Sequence, residues 1–119
     1  MRVLIVICAF NEERTLFPLL KTLKGRDVLV INDGSTDGTA RLASANGANV
    51  LNHPHRLGKA ASVSDAIEFA LRNDYGIIVE IDADTVTDSR SIETLVQSLE
   101  PSEIGGASAR QVPVGPHNV

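Results

Sequence analysis

The 119-residue sequence predicts an α/β fold, a mostly parallel sheet with helices on both faces. Short β-branched runs alternate with stretches of helical periodicity along the chain. The runs are continuous rather than alternately polar, as expected of strands covered on both sides. The polar clusters follow the strands, and in such sheets ligands bind beyond the carboxyl ends of the strands.

The elements read as follows. RVLIVIC (Arg2 to Cys8) is the first strand. Leu16, Leu19, Leu20 and Leu23 then recur at helical spacing, and Gly25 closes that helix. DVLVI (Asp27 to Ile31) is the second strand, and NDGSTDGT turns into a helix near Asp37 that ends at Asn46-Gly47. ANVLN (Ala48 to Asn52) makes a short third strand. Gly58 to Asn73 reads as a helix with Val63, Ile67, Ala70 and Leu71 on one face. GIIVEI (Gly76 to Ile81) is the fourth strand. Ile92, Leu95, Val96 and Leu99 predict a fourth helix, capped by Asp88 or Ser89 and stopped by Pro101. A fifth strand is expected to start near Ile104. Residues 1–119 read as a single domain, without linker or repeat.

Composition narrows the function. Hydrophobic content is 43%, charged content 22% and net charge −4, an ordinary globular balance. No Lys/Arg-rich run offers a surface for tracking phosphates, which argues against nucleic acid as the main partner. A single cysteine, Cys8, excludes an internal disulfide and fits a reducing compartment. No apolar run approaches the roughly 20 residues needed to cross a bilayer. The start of the chain does not resemble a signal peptide. A cytoplasmic protein is expected, or one at the cytoplasmic face of a membrane.

The expected binding edge collects four clusters. VEIDADT places Asp82 and Asp84 two apart on an extended segment, so both carboxylates can face one point. Paired carboxylates suit a hard cation such as Mg²⁺ or Mn²⁺, and a capped polar turn is the alternative. In NDGSTDGT, Gly34 and Gly38 allow close backbone approach, and capping accounts for Ser35 to Asp37. Asp33 is left facing the edge. In RLGKAAS, Arg56 and Lys59 are the cations best placed for a diphosphate, unless they form a solvated basic pair. AFNEE offers Phe10 as a flat apolar surface or a core residue, beside Asn11, Glu12 and Glu13. His53 and His55 read as solvent-facing, because no third nitrogen or sulfur ligand is near in sequence. Cys8 reads as a small hydrophobe packed at the strand end.

In order and spacing, VICAFNEERTL, VINDGSTDGT, LGKAASVSDAI, VEIDADT and IGGASARQVPV resemble the motifs of family 2 glycosyltransferases, from about Arg2 to Val114. The resemblance implies a Rossmann-like GT-A sheet that binds a UDP- or GDP-sugar with Mg²⁺ or Mn²⁺. The implied reaction is inverting transfer to a glycan or lipid-linked acceptor. By position, it implies that Ala9, Phe10 and Asn11 line the base pocket with Glu12 nearby. Asp33 would contact the base and Lys59 the base or phosphate region. Asp82 would lie near the ribose and phosphates, and Asp84 would hold the metal. Asn32 replaces the usual first aspartate of the second motif, Cys8 a common proline and Ser64 a common asparagine. The family's catalytic base and acceptor-binding half lie beyond the Asp-x-Asp. No later acidic motif and no Gln-x-x-Arg-Trp sequence follows here. The expectation is therefore a nucleotide-sugar-binding domain truncated before the acceptor half and incomplete for catalysis alone. The alternative is a non-catalytic nucleotide-binding module that needs a partner chain. An unfinished sheet edge makes such a partner, or a homo-oligomer, plausible.

Overall fold

A computed structural model describes residues 2–84, Arg90, Thr94 and the strand at 109–113. Its elements are β1 (Val3–Ala9), α1 (Glu13–Thr22), β2 (Val28–Asn32), α2 (Thr39–Ala45), β3 (Asn49–Asn52), α3 (Lys59–Arg72), β4 (Ile77–Asp82) and β5 (Ala109–Pro113). The strands form one sheet in the order β3-β2-β1-β4-β5. β1 runs parallel to β2 and to β4, and β2 parallel to β3. β5 is antiparallel to β4, so the sheet is mostly parallel as expected. Ile104 and the fourth-helix residues Asp88, Ser89, Ile92, Leu95, Val96, Leu99 and Pro101 lie outside the described residues.

Side chains of β1 alternate between two cores. Ile5, Ile7 and Ala9 pack with Leu16, Leu19, Leu20 and Leu23 of α1 and its end, and with Ala43 of α2. Leu4 and Val6 face the other way, toward Ala66 and Ala70 of α3 and toward Tyr75. Burying each of the four leucines contributes about 1.5–3 kcal/mol, more than the surface polar contacts of α1 can supply. Burial of both sheet faces explains why the strands read as unbroken apolar runs.

Two expectations need correction. β1, β2 and β4 each extend through the first polar or small residue after the apolar run, to Ala9, Asn32 and Asp82, whereas β3 ends at Asn52 as expected. The ladder continues because the backbone, not the side chain, makes the sheet hydrogen bonds. On α3 the most buried stripe is Ser62, Ala66 and Ala70, whereas Leu71 is 49% exposed. Small residues let that helix approach the sheet closely, and the larger Val63 and Ile67 sit at the flanks, half-buried.

Strand order places the ligand edge. The chain moves outward from β1 to β2 to β3, then returns to add β4 on the opposite side of β1. Such a reversal opens a crevice beyond the carboxyl ends of the two strands. Here the register sets Cys8 opposite Asp82 on one side and Ala9 opposite Asn32 on the other.

Candidate functional site

An open cleft of about 310 Å³ occupies that crevice. From β1 and its loop it is lined by Cys8, Ala9, Phe10 and Glu12, and from the β2 end by Asp33. Arg56, Gly58, Lys59 and Ser62 line it from the start of α3, and Asp82, Ala83 and Asp84 from the end of β4. Seven of the eight residues singled out from sequence therefore meet in one place.

Asn11 is the exception. Its Oδ1 accepts hydrogen bonds from the amides of Thr36 at 2.7 Å and Asp37 at 3.2 Å, and its own amide donates to Ser35 Oγ at 2.9 Å. Asn11 has a φ of 52°, in the left-handed region that asparagine tolerates better than most residues. It staples the β1 loop to the β2 loop instead of lining the cleft. The same loop caps α1: Thr39 Oγ1 accepts from the Glu12 amide at 3.0 Å and Asp37 Oδ2 from the Glu13 amide at 3.4 Å. Asp37 Oδ1 also accepts from the Thr39 hydroxyl and from the Thr39 amide at 2.9 Å, and these bonds, the hydroxyl's first, outweigh burial to hold its pKa below the ordinary value.

The cleft carries both signs of charge. Lys59 Nζ lies 3.3 Å from Asp82 Oδ1 and 3.9 Å from Glu80 Oε2. Burial acts to lower the Lys59 pKa, but Glu80 and then Asp82 outweigh it, so the ammonium is firmly charged. The Arg56 guanidinium sits 4.1 Å from the centroid of the Phe10 ring, which fixes the cation over an aromatic face at the cleft wall. Phe10 is thus a wall residue rather than core. Burial, followed by the field of Glu80, pushes the Cys8 thiol up to about 11. It stays protonated at neutral pH and serves as packing, not as a nucleophile.

Asp33 is buried and holds the α3 loop in place. Its Oδ1 accepts the Leu57 amide at 2.8 Å and faces His53 Nδ1 at 2.8 Å, while Oδ2 accepts the Gly58 amide at 3.1 Å. Burial acts to raise its pKa, but the bonds from His53, Leu57 and Gly58 outweigh burial and lower it. His53 is no surface residue. It is buried, and its Nε2 lies 2.6 Å from Asp65 Oδ2. The expectation for it was wrong because both partners are distant in sequence, at positions 33 and 65. His55 is exposed as expected. Gly34, at φ 80°, lies directly beneath this loop, and a Cβ there would meet His55 C at 2.5 Å and Arg56 N at 2.6 Å.

The donor set suits a hard cation shared with a ligand. Among the described residues no group of three His, Cys, Asp or Glu side chains is placed to hold a metal. Asp82 and Asp84 nevertheless offer exposed carboxylate oxygens at the cleft. A Mg²⁺- or Mn²⁺-type ion accepts such a partial set when phosphate and water oxygens complete its shell.

Residues 4–117 match the model of glycosyl transferase family 2. The chain belongs to that family. Among curated family relatives, the undecaprenyl-phosphate mannosyltransferase of Micrococcus luteus is 30% identical over 97% of this chain and 51% of its own length. The polyprenol monophosphomannose synthase of Mycolicibacterium smegmatis is 28% identical over 96% of this chain and 47% of its own. The chain thus spans about half the length of these glycosyltransferases. Among solved structures, glucosyl-3-phosphoglycerate synthase from Mycobacterium tuberculosis, in complex with Mn²⁺, UDP and glucosyl-3-phosphoglycerate, superposes with a TM-score of 0.72 at 26% identity. That likeness covers 86% of this chain and 40% of the synthase, and a further complex of the same synthase holds Mg²⁺ and UDP. The α/β sheet is accordingly of the GT-A kind. Among the described residues no helix is long and apolar enough to cross a membrane.

Proposed function

We propose that this chain is the donor-binding half of an inverting glycosyltransferase, holding a nucleoside-diphosphate sugar together with a divalent cation. One observation carries the reading: a cleft at the sheet's reversal point joins the Asp82 and Asp84 carboxylates to two cations and an aromatic wall. The mannosyltransferase and synthase relatives, and the UDP and metal complexes of the glucosyl synthase, support the same chemistry.

In this reading Ala9, Phe10, Glu12 and Asp33 form the nucleotide end of the cleft, and Lys59 and Arg56 face the diphosphate. Asp82 meets the ribose and phosphates, and Asp84 holds the cation. Bound there, Mg²⁺ or Mn²⁺ would offset negative charge on the departing diphosphate. The Lys59–Asp82 pair is solvent-exposed and contributes no more than about 1 kcal/mol. It can therefore be exchanged for contacts to phosphate and metal at little cost. The acceptor site and the base that deprotonates the acceptor hydroxyl are assigned to no residue of this chain, which we propose does not transfer sugar efficiently alone.

Calorimetric titration with UDP and GDP, with and without Mn²⁺, tests the donor site on the wild type and Asp84→Asn. Binding of one nucleotide should require metal and weaken by more than about tenfold in the variant, since even indirect metal partners cost that much. Binding that is absent, or indifferent to both metal and substitution, would sink the proposal.

A further inference from the structure

His53 is buried at the end of β3 with a carboxylate on each ring nitrogen, Asp33 on Nδ1 at 2.8 Å and Asp65 on Nε2 at 2.6 Å. An ionised carboxylate only accepts hydrogen bonds, so both contacts form together only when both ring nitrogens carry protons. A neutral imidazole can serve one of them and turns a lone pair toward the other. Asp33 comes from the β2 end and Asp65 from α3, and they are the charged groups acting on the ring among the described residues. Through the same carboxylate, Asp33 accepts the Leu57 and Gly58 amides. Those residues sit between Arg56 and Lys59, the cations of the cleft. Gly58 at φ 102° makes the sharp turn into α3, and Asp33 fixes that turn.

We propose that His53 is a positioning residue of the donor site: as an imidazolium between Asp33 and Asp65, it fixes the turn that aims Arg56 and Lys59 at the diphosphate. The proposal rests on the donor-site reading. It goes further in naming a residue that touches no ligand and yet makes donor affinity depend on pH. Losing the ring proton removes one of the two charge-assisted bonds, and the turn loses part of its anchor. Donor affinity then falls as pH rises through the titration of His53. Hydrogen bonds with Asp33 and Asp65 place that titration above the ordinary 6.5, against the opposing effect of burial.

The test pairs two measurements on the full chain. Imidazole resonances followed by NMR give the pH at which His53 titrates without nucleotide. Affinity for UDP and GDP, each with Mg²⁺, is then measured across that pH for the wild type, His53→Asn and His53→Ala. Asparagine can keep a donor toward Asp33 but does not titrate; alanine removes the donor. Wild-type affinity should drop about tenfold across the NMR midpoint, the scale of one lost charge-assisted bond. The asparagine variant should show no such drop, and its profile is the reference that contains the nucleotide's own phosphate titration. The alanine variant should bind at least about tenfold more weakly than the wild type below the midpoint and show no drop across it. A wild-type profile with no drop at the NMR midpoint, or an equal drop in the asparagine variant, overturns the positioning role alone. Should the variants fail to fold, the wild-type comparison of NMR midpoint with affinity midpoint still decides. Absence of nucleotide binding at every pH overturns the donor-site reading and this proposal with it.

Discussion

Gly34 shows how tightly the site is built at the scale of one residue. It needs a positive φ of 80°, and its α-carbon faces the backbone of His55 and Arg56 with no room for a methyl group. Gly47 has a similar φ of 87° but nothing within 4 Å of an added Cβ. Gly47→Ala should therefore lose only the strain of the left-handed conformation, about 1–2 kcal/mol. Gly34→Ala adds a collision with backbone, which cannot rotate away, and should lose about 2–4 kcal/mol. Urea unfolding of the two variants checks the difference, and equal losses would show that the loop does not sit on Gly34. The need for glycine here was legible in the motif, because a turn after a strand asks for it. The reason was not, since the colliding residues lie about twenty positions later in the chain. Asn11 and His53 escaped for the same cause. Their partners come from other loops, and single-sequence reasoning sees neighbours along the chain rather than across it.

At the scale of elements, the identity of the parallel strands was readable because burial on both faces leaves a continuous β-branched signature. The leucines of α1 and its end were readable from their helical spacing, and all four lie in the core. α3 was harder. Of the expected stripe, Ala70 is buried and Ile67 packs against the core, but Leu71 is exposed and Ser62 and Ala66 take the deepest places, because a helix lying close on a sheet buries its smallest side chains most deeply. The face assignment can be measured. Ala70 is fully buried and Leu71 is 49% exposed. Ala70→Leu should cost about 1–3 kcal/mol by overpacking. Leu71→Gln should stay within about 0.5 kcal/mol of the wild type. Denaturant midpoints for the pair decide the matter, and a larger loss at Leu71 would restore the expectation that Leu71 faces the core. Strand ends were misplaced by one residue for a physical reason that bears on function. Asn32 and Asp82 are polar, yet the ladder carries them to the cleft edge in fixed register. Asn32 also bonds Asn52 across the sheet at 2.8 Å, a structural use for the residue that replaces the family's aspartate.

At the scale of the whole molecule, the groups that tie the loops together also set how stability responds to pH. Asp33 has its pKa lowered from 3.8, because its hydrogen bonds outweigh the opposing effect of burial. Its contribution is fully present above 3.8 and is lost as pH falls through the lower, folded-state value. Asp37 behaves in the same direction. His53 has its pKa raised from 6.5, chiefly by Asp33. Its contribution is fully present below 6.5 and is lost as pH rises through the higher, folded-state value. The two windows overlap between 3.8 and 6.5, so the Asp33–His53–Asp65 cluster stabilises the fold most in that mildly acidic range. A second alkaline loss follows from Cys8, whose thiol ionises near 9.0 when unfolded but only at about 11 when folded. Urea midpoints measured from acid to alkaline pH should fall in two stages above 6.5, the first assigned to His53 and the second beginning near 9. His53→Ala should abolish the first stage and leave the second, whereas Cys8→Ala should keep the first and reduce the second, to which Tyr75 and Lys59, both raised in pKa, also contribute. A wild-type midpoint that stays level as His53 titrates would show that the cluster does not join the loops energetically.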